Sequence, residues 1–248
     1  MKLRICHLYP DLLNLYGDRG NIIAIKKRAE LRDIEVEIIP VSLGEPFPKD
    51  GIDFFFMGGG QDLEQSILMN DFLELKGNSI INKVKDGLPG LVICGGYQLM
   101  GKYYQLADGK RIEGLGIFDL YTIAGGKRLI GDVICECDFL PVENKSNLLI
   151  GFENHSGHSY LSETAKPLAK VVQGNGNNSL DRKEGCIYNN LYGTYMHGSL
   201  LPKNPKLTDY FIKLMLEWKG EGKYKFAEVD CSLEEEARKV ILTRYGEG

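Results

Sequence analysis

The sequence has no run of about 18 apolar residues, so no segment is suited to cross a bilayer as a helix. It has no basic stripe either. The 30 Lys and Arg set against 34 Asp and Glu leave a formal net charge of -4, which argues against a nucleic-acid binder. The Lys26-Lys27 pair falls within an amphipathic helix pattern and reads as a solvated face. No secretory leader is expected, because Met1-Lys2-Leu3-Arg4 runs straight into a strand pattern without an apolar leader core. The six cysteines are scattered through a chain far larger than a disulfide-stapled mini-domain, which points to thiols in a reducing cytosol. Repeats, low-complexity tracts and linker-like stretches are absent. What remains is a chain of 248 residues, 43% apolar and 26% charged, ordinary for a soluble globular protein. It is long enough to bury a sizeable core and reads as a single domain over 1–248.

The first half alternates strand and helix. Apolar runs at 3–8, 35–41, 52–57 and 91–93 read as strands, and rough helical spacing recurs at Ile22, Ile23, Ile25, Ala29 and Leu31 and again over 72–84. Asp18-Arg19-Gly20-Asn21 reads as turn chemistry. This alternation predicts an α/β fold: a three-layer α/β/α sandwich around a mostly parallel central sheet. The second half is richer in strands, with candidates at 116–122, 132–137, 148–152, 169–172, 186–188 and 194–196. Two helices are expected near the end, one capped by Thr208 and one opened by a Ser232/Glu235 capping box.

Leu91-Val92-Ile93-Cys94-Gly95-Gly96 is a buried strand that stops at a reactive residue, followed by two glycines and a helix start. That is the pattern of a nucleophile elbow, in which a strained turn lifts a side chain above the sheet edge. The N-terminus of the following helix is expected to favour the thiolate of Cys94. The alternative, a small core cysteine, explains the thiol but not the glycines. Cys135 and Cys137 lie two apart on a strand, and no second cysteine pair completes a zinc set, so they read as packing residues and no metal is expected.

A thiolate nucleophile needs a base. Of the four histidines, His197 ends a strand and precedes a glycine, at the carboxyl edge of the sheet where ligands gather. His155 also follows a strand and is the second candidate, whereas His7 reads as buried structure. Gly58-Gly59-Gly60 after the third strand suits an oxyanion hole, with the backbone N–H groups of Gly60 and Gly95 as donors. The Gly-Lys-Ser/Thr of a phosphate-binding loop is missing.

Cys-Gly-Gly-Tyr-Gln at 94–98, Gly-Gly-Gly at 58–60, Glu-Asn-His-x-Gly at 153–157 and Gly-Thr-Tyr-x-His-Gly at 193–198 resemble the cobyric-acid-synthase-like branch of class I glutamine amidotransferases, which have a flavodoxin-like fold. Leu-Asn-Leu-Tyr-Gly-Asp-Arg-Gly-Asn at 13–21, Gly-Phe-Glu-Asn-His at 151–155 and Leu-Pro-Lys-Asn at 201–204 resemble, within it, the glutaminase subunits of lipid II isoglutaminyl synthase (GatD type). The resemblance implies hydrolysis of L-glutamine through a Cys94 thioester, with His197 as base and no cofactor. Arg128 would hold the substrate, as a guanidinium fork suits an α-carboxylate, and Gln98 would belong to the same subsite. It also implies a cytoplasmic heterodimer with a Mur-ligase-like subunit (MurT type). That partner would use the ammonia to amidate the α-carboxylate of D-glutamate in lipid II. Many class I amidotransferases place a glutamate two residues after the histidine, where this chain has Ser199. The partner is therefore expected to supply or organise the missing acid, leaving the lone chain weakly active. A stand-alone cysteine hydrolase and a non-catalytic glutamine-binding subunit are the alternatives.

Overall fold

The computed structural model describes residues 1–14, 17–60 and 62–246. In chain order, β1 (Lys2–Leu8), α1 (Arg19–Glu30), β2 (Glu35–Val41) and β3 (Phe54–Met57) are followed by α2 (Asp62–Asn70), a π-helical turn (Asp71–Lys76) and α3 (Gly77–Lys85). Next come β4 (Gly90–Ile93), α4 (Gly95–Leu99), β5 (Tyr103–Gln105), β6 (Arg111–Glu113), β7 (Leu120–Glu136), β8 (Leu148–Leu161), β9 (Ala169–Gln173), β10 (Lys183–Glu184), β11 (Cys186–Tyr188) and β12 (Leu191–Thr194). The chain closes with α5 (Leu200–Lys203), α6 (Pro205–Trp218) and α7 (Ser232–Arg244).

The first sheet has the order β11-β12-β4-β3-β1-β2. Its pairings are parallel except for the β11/β12 edge. This is the α/β architecture expected from the sequence. Phe54, Phe55, Phe56 and Met57 of β3 are all buried, as a strand covered on both faces requires. α1 buries Ile22, Ile25 and Ala29 on one stripe, and Arg28 grips both carboxylate oxygens of Asp209 to fix α1 on α6.

The second sheet, β10-β9-β7-β5-β6 with β8 also on β7, is mostly antiparallel. Its two faces follow the period-two rule. Val133 and Cys135 of β7 enter the main core, which runs on from the first sheet. Ile134 faces the other way, with Leu148 and Ile150, against Leu242 of α7. Three local expectations change. β7 and β8 are long continuous strands, and the apparent break at Gly125-Gly126 is a register shift between Ala124 and Leu129. α6 starts at Pro205, so Thr208 lies inside the helix and donates to the Leu201 and Asn204 carbonyls. The Ser232/Glu235 box does not form: Ser232 donates to Asp230 and Glu235 pairs with Arg238.

Candidate active site

β4 ends at Ile93, and the chain turns at Cys94 with φ 47° and ψ -103° before α4 begins at Gly95. A non-glycine residue in such a region is strained, and the surrounding structure must hold it there. Here β4 is hydrogen-bonded on both sides, by β3 and β12, and the Cys94 N–H continues the ladder to the Thr194 carbonyl at 2.8 Å. Cys94 is 8% exposed. α4 has only five residues, so the expected helix-end charge is small, and the charge partner of Cys94 is a side chain instead.

That side chain is His197. β12 stops at Thr194, and His197 is held three residues later by an isolated backbone bridge with Phe152 of β8. Its N–H donates to the Phe152 carbonyl at 2.8 Å. The ring is buried, with Nδ1 at 3.2 Å from each oxygen of Asp18, which is also fully buried. Burial alone would push the imidazolium pKa down. The negative charge of Cys94 and Asp18, with hydrogen bonds to both, outweighs it and holds His197 up at about 10. The histidine is therefore held as a cation between Asp18 and the elbow.

On sequence alone Asp18 belongs to a turn, and the acid missing after the histidine falls to a partner. The structure corrects this: a carboxylate of the same chain sits at His197 Nδ1. Asp18 immediately precedes α1, and its Oδ2 accepts from the Gly59 N–H at 2.9 Å. Ser199 is not idle. Its hydroxyl donates to the Gly17 carbonyl at 2.6 Å, and the Leu201 N–H donates to Asn21 at 2.8 Å, which docks the Asp18 segment on the turn after His197. The sequence signal for Asp18 was its position just past the carboxyl end of β1, in the resemblance motif at 13–21; Leu15 and Tyr16 of that motif lie outside the described residues.

The three groups converge on one glycine. A Cβ at Gly59 would lie 2.7 Å from His197 Cε1, 3.2 Å from Cys94 Cβ and 3.3 Å from Asp18 Oδ2, so only glycine fits. Gly60 and Gly95 are also adjacent: a Cβ at Gly95 would lie 3.0 Å from the Gly60 nitrogen. Gln61, next in that loop, lies outside the described residues. Behind the elbow runs a buried polar chain. Gln65 Nε2 donates to Gln98 Oε1 at 3.1 Å, and Gln98 Nε2 donates to the Tyr195 hydroxyl at 3.1 Å. Tyr195 then contacts Ser159, and Ser159 contacts Thr122, each at 2.7 Å. Both ends of the Gln98 amide are thus engaged within the protein.

Arg128 is exposed and lies in the irregular part of β7, where its Nε donates to Asn154 of β8. Asn154 is two residues from Phe152, the bridge partner of His197. His155 lies within β8 rather than after a strand. Its ring stacks on Tyr195 with centroids 3.6 Å apart, its Nδ1–H donates to the Gly157 carbonyl, and burial pushes its pKa down to about 3. It is a neutral packing group and not placed as a base. His7 is likewise buried, against Phe56, with its pKa pushed down to about 4. Cys135 and Cys137 are buried free thiols, and no cluster of three metal-ligating side chains occurs among the described residues. Among them, too, no helix is long and apolar enough to cross a membrane.

Known proteins are similar to this chain in sequence and fold. The chain is 42% identical, over 98% of its length and 96% of the relative's, to the lipid II isoglutaminyl synthase (glutamine-hydrolyzing) subunit GatD of Staphylococcus aureus strain N315. It is 43% identical to the subunit of the same name from Streptococcus pneumoniae, over 88% of this chain and 82% of that one. Among solved structures, the Trypanosoma brucei CTPS glutaminase domain with bound acivicin superposes with a TM-score of 0.57 at 12% identity, covering 94% of this chain and 98% of that one. That likeness is one of fold. The chain belongs to the family of CobB/CobQ-like glutamine amidotransferase domains, whose pattern matches residues 4–205.

Proposed function

We propose that this chain is the glutaminase subunit of a lipid II isoglutaminyl synthase, and that Cys94, His197 and Asp18 form its reacting centre. The observation that carries the reading is the convergence of these three side chains on Gly59. The Cys94 thiolate attacks the side-chain carboxamide carbon of L-glutamine. The N–H groups of Gly60 and Gly95 receive the oxyanion that develops. The His197 imidazolium protonates the leaving nitrogen, ammonia departs, and a γ-glutamyl thioester remains on Cys94. Neutral His197 then takes a proton from water, the hydroxide attacks the thioester, and glutamate leaves with Cys94 restored as thiolate. Asp18 holds the ring in one tautomer and balances its charge. Arg128 meets the α-carboxylate of the glutamine, with Asn154 setting its orientation. Gln98, engaged on both sides, supports the elbow rather than contacting substrate through its side chain.

The relatives' names supply the context. They are glutamine-hydrolyzing subunits of a lipid II isoglutaminyl synthase. The ammonia made here is accordingly used by a Mur-ligase-like subunit (MurT type) in a cytoplasmic heterodimer, where it amidates the α-carboxylate of D-glutamate in lipid II. Because the acid lies in cis, the chain does not need its partner to complete the triad.

The test is ammonia release from glutamine by the purified chain, alone and with the ligase subunit, for wild type and Cys94→Ala. Release by wild type that vanishes in Cys94→Ala supports the reading. Release that persists in Cys94→Ala removes the nucleophile. Hydrolysis of peptides instead of glutamine would favour a stand-alone cysteine hydrolase.

A further inference from the structure

Glu184 ends β10, where the second sheet meets the strand that leads to His197, and it is fully buried at 0% exposure. No step of the reaction above uses it. Its Oε1 accepts two hydrogen bonds, from the Thr194 hydroxyl at 2.6 Å and from the Tyr195 N–H at 2.8 Å. The Thr194 oxygen in turn accepts from the Met196 N–H at 3.0 Å. β12 has already ended at Thr194, so these two N–H groups lie beyond its ladder. The next N–H, that of His197, goes to Phe152. Every backbone donor from the strand end to the histidine therefore has a partner, and two of the three depend on Glu184 directly or through Thr194.

We infer that Glu184 is a positioning residue for His197: it fixes residues 194–196 through one acceptor oxygen and so sets where the imidazole stands over Cys94. This rests on the reading of His197 as the acid–base group of the proposed glutaminase. A buried carboxyl is a costly way to brace a backbone, because its Oε2 has no hydrogen-bond partner among the described residues. Burial raises the Glu184 carboxyl to about 7. Its bonds from Thr194 and Tyr195 oppose the rise, Glu153 on β8 adds to it, and His197 lowers it. Near neutrality the group is thus only partly ionised. A carbonyl oxygen serves the brace as well as a carboxylate, and an amide should replace it.

The experiment is steady-state ammonia release by the full chain for Glu184→Ala, Glu184→Gln, Thr194→Val and Thr194→Ser. The Cys94→Ala variant is the control, and each fold is checked by circular dichroism. Glu184→Ala is expected to lower kcat about ten-fold or more with KM for glutamine nearly unchanged, since a displaced acid–base group costs turnover rather than binding. Glu184→Gln and Thr194→Ser should recover most of kcat, and Thr194→Val should fall with Glu184→Ala. If Glu184→Ala fails to fold, Thr194→Val against Thr194→Ser carries the test. A folded Glu184→Ala or Thr194→Val with wild-type kcat overturns the inference, as does a Glu184→Gln no better than Glu184→Ala. Loss of the Cys94→Ala effect would instead overturn the glutaminase reading beneath it.

Discussion

The two sheets use buried polar groups in opposite ways. In the first, Cys94, His197, Asp18 and the Gly58–Gly60 loop all gather past the carboxyl ends of parallel strands, and the titratable groups face one another. In the second, Glu153 and Glu184 face backbone donors. Glu153 accepts from the Asn175 and Gly176 N–H groups, and Glu184 from Tyr195. The hydroxyls of Thr122 and Ser159 reach the first sheet only through Tyr195. A parallel sheet opens a crevice at its strand ends, where side chains from several strands can meet. An antiparallel sheet offers no such edge here and serves as a buttress. The difference predicts that substitutions in the first group lower turnover directly and those in the second lower it through position or stability.

Four substitutions test the contrast, in order of expected effect. His197→Ala should cost at least about 10³-fold in kcat, because in the proposed mechanism the same ring protonates the leaving nitrogen and activates water; ammonia release measures it. Arg128→Ala should raise KM for glutamine about ten-fold or more, with kcat less affected, since it removes the proposed ground-state contact to the α-carboxylate. Tyr195→Phe, at the junction with the buttress, removes the hydroxyl that links Gln98 to Ser159 and should cost only a few-fold in kcat, with about 1–2 kcal/mol of stability in urea melts. A kcat loss for Tyr195→Phe as large as for His197→Ala would erase the distinction between the sheets.

The fourth concerns pH. His155 is held well below its ordinary value of 6.5, at about 3, by burial. A group depressed in the folded state contributes stability that is present above 6.5 and is lost as pH falls from there toward 3. From this residue wild type should lose on the order of 2 kcal/mol of stability between pH 7 and 4.5, opposed by Glu184, whose raised carboxyl gains stability over the same range. His155→Phe, which keeps a ring against Tyr195, should be less stable at pH 7 but flatter over that range. His7, at about 4, acts in the same direction. Urea midpoints at the two pH values measure the slope, and equal slopes in wild type and variant would contradict the assignment.

Much of the site was legible in the sequence because its signals are local. The strand, Cys94 and the paired glycines specify an elbow within a few residues, whereas the strand expected over 194–196 is β12, which ends at Thr194, three residues before His197. The Gly58–Gly60 loop stands out for the same reason. Asp18 was not legible as an acid, because its partner lies 179 positions away and Asp-Arg-Gly-Asn is equally good turn chemistry. Ser199 seemed a gap, since its role is to donate to Gly17 across the same long separation. In the second sheet, Gly125-Gly126 has the look of a turn between two strands, where one strand only shifts register. Glu-Asn-His-x-Gly imitated a loop, although its residues alternate between buried and half-buried as a strand requires.

The central claim is that the reacting centre is complete within this chain, with Asp18 as its acid. The most direct test is kcat and KM for ammonia release by Asp18→Asn, measured on the isolated chain and again with the ligase subunit. The account predicts a fall in kcat of about 10²-fold or more in both settings, with KM little changed, because the amide keeps the shape but not the charge beside His197. An Asp18→Asn chain that turns over like wild type, alone or once the partner is added, would contradict it and return the acid to the partner.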